Sequence, residues 1–174
     1  MVLDTSAFLA GFDPFSISET QATVPKVEEE IRTNSMIWVR FKTAVENSKL
    51  RIKAPSEEAL SEAKASAITV GDSFFLSETD IQLLALALEL KAAGYRPNIV
   101  SDDYSIQNVA TKSGIEFTAL ATFGIRRLLE WVRYCPACRR EYAANYSSTT
   151  CTVCGTEIKR KPRKTSKNLK NAKQ

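Results

Sequence analysis

Apolar positions along the chain fall into two periods, and their alternation predicts the order of elements. Met1, Val2 and Leu3 form a short apolar run that ends at Asp4 and predicts a buried strand, with a helical turn or two over 6–11. The stretch 13–23 reads as polar. Val24, Val27 and Ile31, with Pro25 at a first helical position, predict a helix to about Arg32. Ile37, Phe41, Ala44 and Val45 repeat the helical spacing over 36–49, and 50–54 alternates like a strand before Pro55. A helix opens at Ser56, carries acids in its first turn and runs to about Ile68, before the break at Gly71 and Asp72. Ser77 as cap, Asp80 three residues later and Gly94 as stop delimit a helix that is apolar nearly all round and therefore buried. A strand (98–101), a helix (104–112, ended by Gly114) and a strand (115–119) follow. Strands alternating with helices predict an α/β fold with a central parallel sheet and helices on both faces.

Past residue 123 the composition shifts. The expected division is a larger α/β domain over 1–124, an Arg-rich connecting helical segment over 125–134, a small zinc ribbon over 135–158 and a basic disordered tail over 159–174. Charge divides at the same place. Residues 1–124 hold 11 basic and 17 acidic residues, a balance of −6, whereas 125–174 hold 13 basic and 3 acidic, a balance of +10. No apolar run is long enough to cross a bilayer and the amino terminus lacks a basic signal segment, so the expectation is a soluble, cytoplasmic protein with no membrane partner.

The chain of 174 residues contains no histidine. That excludes a Ser-His-Asp triad, a Cys-His pair, a histidine metal ligand and a histidine acid/base couple. Carboxylates, lysines, thiolates or bound metal must carry any chemistry. In a doubly wound sheet, ligands gather where the carboxyl ends of the strands open a crevice. Asp4 ends the first strand, Asp102 and Asp103 end the strand over 98–101, and Asp80 opens the buried helix. Convergent carboxylates without histidine suit hard divalent cations, and two such ions would activate water and stabilise the leaving oxygen at a phosphodiester. Each acid also has a plainer reading: Asp4 and Asp103 as turn or cap residues, Asp80 as the capping-box partner of Ser77. On the second helix Glu28 and Glu30 both flank the apolar stripe, and periodicity does not choose between them.

Three segments, Val2-Leu3-Asp4-Thr5-Ser6-Ala7-Phe8, Thr79-Asp80-Ile81-Gln82-Leu83-Leu84-Ala85-Leu86-Ala87 and Ile99-Val100-Ser101-Asp102-Asp103-Tyr104-Ser105-Ile106-Gln107-Asn108, resemble the successive acidic motifs of PIN-domain ribonucleases. The resemblance covers residues 1 to about 120. It implies cleavage of single-stranded RNA with Mg2+ or Mn2+ held by clustered acids, and it matches Asp4, Glu30, Asp80 and Asp103 to the four acids in turn. Asp103 fits the Ser/Thr, any residue, Asp pattern, with Asp102 as a possible auxiliary ligand. Ser6 matches the small hydroxyl residue that orients the first acid.

Cys135-x2-Cys138 and Cys151-x2-Cys154, twelve residues apart, use every cysteine in the chain. Two such knuckles complete a closed tetrahedral zinc site, with Gly155 suited to a positive φ; disulfides or redox pairs are the competing reading. Tyr142 and Tyr146, near Arg139 and Arg140, could stack on bases or simply fill a small ribbon's core. The eight basic residues of 159–174 are a solubilising tail or, on the favoured reading, an RNA tether.

An acidic PIN-like unit followed directly by a four-cysteine ribbon resembles the archaeal-type NIN-one-binding endonucleases. That resemblance spans about 1–157. It implies a metal-dependent endoribonuclease that matures the 3′ end of small-subunit ribosomal RNA, with the precursor RNA, the precursor subunit and assembly factors as partners. The alternatives are a toxin-type PIN ribonuclease, a non-catalytic RNA-binding assembly factor and, leaving the acids unexplained, a DNA-binding zinc ribbon.

Overall fold

Val2 and Leu3 in β1 (Val2–Leu3), and Ile99 and Val100 in β4 (Asn98–Val100), are wholly inaccessible to water, as strands covered on both faces must be. They pair in parallel, Val2 with Ile99 and Leu3 with Val100. In the computed structural model, which describes residues 1–71, 76–125, 130–143 and 146–163, they form the centre of a five-stranded parallel sheet. Its order is β3-β2-β1-β4-β5, with β2 at Gln21–Thr23, β3 at Leu50–Ile52 and β5 at Glu116–Thr118. The winding reverses between β1 and β4. Asp4 and Ser101, the next residues of those two strands, therefore stand side by side at the reversal, and Asp4 N donates to Val100 O at 3.1 Å.

Six helices among the described residues accompany these strands: α1 (Thr5–Leu9), α2 (Pro25–Ile31), α3 (Ser35–Glu46), α4 (Glu57–Val70), α5 (Glu78–Ala92) and α6 (Tyr104–Lys112). The predicted caps form. Ser56 accepts from Ala59 N, and Ser77 and Asp80 make a reciprocal capping box at the head of α5. Eight residues of α5 are buried, so the helix packs between α4, α6 and the middle of the sheet. This places Asp80 at the carboxyl edge of the strands.

Three segments depart from expectation. The polar stretch 13–23 contains β2, whose side chains Gln21 and Thr23 are buried because each finds a backbone partner: Gln21 Nε2 donates to Pro14 O at 2.8 Å, and Thr23 Oγ1 to Leu3 O at 2.7 Å. The connecting segment 125–134, expected as helix, is strand over its last five residues, β6 (Glu130–Tyr134); residues 126–129, with Arg126 and Arg127, lie outside the described residues. The tail expected to be disordered from 159 instead begins as β8 (Lys159–Arg163). With β7 (Glu141–Tyr142), these form an antiparallel sheet in the order β7-β6-β8. Strand pairing and ring contacts override the local charge: Arg160 lies over Trp131 at 4.2 Å, Lys161 lies over Tyr134 at 4.9 Å, and Lys161 pairs with Glu141 at 2.7 Å. Residues 164–174 lie outside the described residues.

The second sheet rests on the first unit through the end of α4. Gly71 caps α4 at φ +78°, and a Cβ there would come within 2.4 Å of the Trp131 carbonyl oxygen. No described helix is long and apolar enough to cross a membrane.

Candidate active site and metal centre

Asp4 follows β1 directly and caps α1, so its carboxylate is fixed by the backbone that carries it. Oδ1 accepts from Thr5 N at 2.7 Å, while Oδ2 accepts from Ser6 Oγ at 2.6 Å and Ser101 Oγ at 2.8 Å. The side chain is buried, with the residue only 6% exposed, and burial pushes its pKa up against the lowering effect of those hydroxyl and amide donors. Ser101 Oγ in turn accepts from Asp103 N, and Ser6 Oγ from Asp102 N, each at 3.1 Å. A small network thus joins the ends of β1 and β4.

Asp103 caps α6, accepting from Ser105 N at 2.6 Å, and keeps an exposed carboxylate. Asp80 stands half-buried at the head of α5. Burial raises its pKa to about 6, with the charges of Asp4 and Asp103 adding to the rise. The three carboxylates therefore share one electrostatic space. None of the described ion pairs uses any of them. Oxygen donors with uncompensated negative charge suit a hard divalent cation.

Glu30 joins the group through two threonines. Its Oε2 accepts from Thr5 Oγ1 and its Oε1 from Thr79 Oγ1, both at 2.5 Å. Thr5 adjoins Asp4 and Thr79 adjoins Asp80, so α2 is tied to both acids. Glu28 faces elsewhere and pairs with Arg32 at 2.7 Å. The structure thus brings Asp4, Glu30, Asp80 and Asp103 to one edge of the sheet.

Residues 1–90 match the family model described as the PIN domain of ribonuclease. The chain is 34% identical to endoribonuclease Nob1 of Pyrococcus abyssi over 94% of both proteins, and 36% identical to endoribonuclease Nob1 of Methanocaldococcus jannaschii over 92% of this chain and 76% of that one. The chain belongs to the Nob1 family of PIN-domain endoribonucleases. It is also similar to ribonuclease VapC1 of Thermoplasma acidophilum, at 32% identity over 91% of this chain and 76% of that one.

Within this Nob1-family chain Asp102 has a task of its own. Oδ1 accepts from Leu120 N, Ala121 N and Thr122 N at 3.0, 3.0 and 2.9 Å and from Thr122 Oγ1 at 3.0 Å; Oδ2 accepts from Ala121 N at 3.1 Å. Burial works upward on its pKa, but these donors outweigh it and the carboxyl sits below its ordinary value. Asp102, expected as an auxiliary ligand, has oxygens that clamp the loop after β5. Sequence reasoning missed this clamp, as well as Thr5 and Thr79, whose only signal was their position beside an acid.

Among the described residues, the four cysteine sulfurs are the group whose ligand atoms all lie within 4.8 Å of one another. Cys135 and Cys154 sulfurs are 3.4 Å apart, and those of Cys138 and Cys151 3.5 Å. A disulfide needs about 2.05 Å, whereas a tetrahedral zinc with bonds of about 2.3 Å sets its sulfurs about 3.8 Å apart. The cysteines are unbonded and fit a metal ion. Tyr142 Oη donates to Cys151 Sγ at 2.9 Å and lowers that thiol to about 6, which favours the thiolate a metal requires. The positive φ expected at Gly155 is present, at +71°, and the corresponding place in the other knuckle is taken by Arg139 at +61°. Tyr142 and Tyr146 stack with ring centroids 4.4 Å apart and pack against buried Cys135, Cys151 and Ile158. They serve as ribbon core.

Proposed function

We propose that the chain is a metal-dependent endoribonuclease that cuts precursor small-subunit ribosomal RNA at the mature 3′ end, working in the cytoplasm on the precursor subunit and in the company of its assembly factors. The observation that carries the catalytic part is the convergence of Asp4, Asp80 and Asp103 at the β1/β4 reversal without a cationic partner among the described residues. Asp4, Asp80 and Asp103 hold Mg2+ or Mn2+, and Glu30, positioned by Thr5 and Thr79, orients a second ion or the attacking water. When bound, such ions activate water and stabilise the leaving oxygen at a phosphodiester. Asp4, buried and held by two hydroxyls, supplies a carboxylate whose orientation is set before substrate arrives. Hydrolysis breaks one phosphorus–oxygen bond, adds water, and leaves a 3′-hydroxyl and a 5′-phosphate.

Residues 1–124 act as the cleaving unit, and the antiparallel sheet, held by Zn2+ on Cys135, Cys138, Cys151 and Cys154, acts with the basic segment beyond it as the RNA-holding unit. Its Lys and Arg residues supply attraction that the acidic unit lacks, and this attraction weakens as salt rises.

The test is to incubate the full chain with Mn2+ and an RNA spanning the mature 3′ end of the small-subunit RNA. A single cut at that end, lost in Asp4→Asn, supports the proposal. Scattered cuts, or cutting of an unrelated RNA at equal rate, favour the toxin-type reading. Binding without any cut favours an assembly factor.

A further inference from the structure

The loop after β5 is held firmly, yet it ends on an apolar side chain held out in water. Asp102 fixes its near side through the amides of Leu120, Ala121 and Thr122. Gln107, fully buried, fixes its far side: Oε1 accepts from Ile125 N at 2.8 Å, while Nε2 donates to Ser101 O at 2.9 Å. Between these holds, Gly124 turns at φ +64°, and a Cβ on it would come within 3.2 Å of the Phe117 ring. Phe123 sits between the two holds and is 93% exposed, the most exposed of the large apolar residues described. Hydrogen bonds from a carboxylate and a buried amide thus keep a phenylalanine in solvent.

The position of the loop gives the exposed ring a use. Asp102 is the neighbour of Asp103, and Gln107 reaches the carbonyl of Ser101, which holds Asp4. The loop is therefore built onto the same strand end as the acid group. Tyr104, directly after Asp103, is also exposed, at 54%. A lysine or arginine beside this group would pair with the carboxylates and compete with a cation for them. An aromatic face attracts RNA without charge, because every base has a face on which it can stack. The stretch 100–124 carries one basic residue, Lys112, at the far end of α6 from Asp103.

We propose that Phe123 is a stacking platform for an unpaired base of the RNA strand beside the cleaved phosphodiester, held in place by Asp102 and Gln107. The platform rests on the endoribonuclease reading for its substrate class. It positions RNA and takes no part in bond breaking.

The experiment measures binding of a fluorescein-labelled single-stranded RNA spanning the mature 3′ end to the full, metal-loaded chain in an Asp4→Asn background, where no cut intervenes. Adding Phe123→Ala should weaken binding about tenfold, and Phe123→Trp should keep it within twofold. An abasic nucleotide at the stacked position should weaken the parent about as much, and should add nothing to the loss already caused by Phe123→Ala. In the cleaving protein, Phe123→Ala should raise KM about tenfold with kcat within twofold. Exposure of the ring means that folding should survive, which circular dichroism checks. Equal binding by Phe123→Ala overturns the platform. So does Phe123→Leu performing as well as Phe123→Trp, which would mark a hydrophobic protein contact instead. An RNA bound through Phe123 but not cut would overturn the ribosomal reading and leave the platform standing; correct cutting with unchanged binding by Phe123→Ala would do the reverse.

Discussion

Ser101 Oγ donates to Asp4 Oδ2 at 2.8 Å across 97 residues of sequence, while accepting from the backbone amide of Asp103. One hydroxyl thus orients one acid by its side chain and another by its main chain. Ser101→Ala should lower cleavage about 10- to 100-fold, as loss of a ligand's orienting partner does, and cost about 1–2 kcal/mol of stability. Cleavage rates and thermal melting check both. Unchanged cleavage would mean that the network does not set the position of Asp4.

Glu30 depends on Thr5 and Thr79 for its placement. Valine keeps the shape of threonine and removes the hydroxyl, so Thr5→Val with Thr79→Val should free the Glu30 carboxylate without removing its charge. The double variant should cut about 10- to 100-fold more slowly, with a smaller effect from each single change. Glu28→Gln, which alters only the pair with Arg32, serves as the control and should cut normally. Equal rates for the double variant and the parent would remove Glu30 from the site.

The raised pKa of Asp80, about 6, sets a pH dependence for the metal-free protein. A carboxyl that titrates higher when folded than when unfolded binds its proton preferentially in the folded state. Its contribution to stability is complete below the unfolded value near 3.8 and is lost as pH rises through about 6. A cation must displace that proton. Calorimetric titration with Mn2+ in buffers of differing ionisation enthalpy should therefore release more protons at pH 5.5 than at pH 7.5, and affinity should fall below pH 6. Proton release independent of pH over that range would show that Asp80 is not a ligand.

Metal removal should separate the two sheets. Buried in the ribbon are Cys135, Cys151 and Ile158, too little apolar surface to hold 130–163 without a metal ion. A strong thiol-competing chelator should release about one zinc per chain and expose the amides of β6, β7 and β8 to exchange, while those of β1 and β4 stay protected. Arg139→Gly, relieving a positive φ on a side-chain-bearing residue, should stabilise the ribbon by about 1 kcal/mol and slow that release. Hydrogen exchange read by mass spectrometry checks both. Full protection of the ribbon after zinc loss would refute the metal's structural role.

The sequence was most legible where local signals agreed with tertiary burial. Ser77, Asp80 and the apolar body of α5 define a helix by themselves, and the cysteine spacing defines the thiolate cluster. It was least legible where tertiary partners reverse a local preference. Gln21 and Thr23 look like loop residues until Pro14 and Leu3 offer carbonyl oxygens to them. Lys159 to Arg163 looks like a solvated run until Trp131, Tyr134 and Glu141 supply a face for it. Adjacent acids also looked alike. Asp102 and Asp103 share a strand end, but only the structure separates a loop clamp from an exposed carboxylate, because the difference lies in amides eighteen to twenty residues downstream.

Gly71 meets the carbonyl of Trp131 so closely that no side chain fits between them. The same glycine ends α4 at the edge of the sheet from which α5 brings Asp80 toward Asp4. On the proposed reading, in which the basic ribbon grips RNA and the acids cut it, the seam would work as a ruler, presenting to the acids only the bond that lies a set span away. A methyl group there, in Gly71→Ala, would push the second sheet away from α4, and on that same reading would move the cut without altering any group that touches the bond.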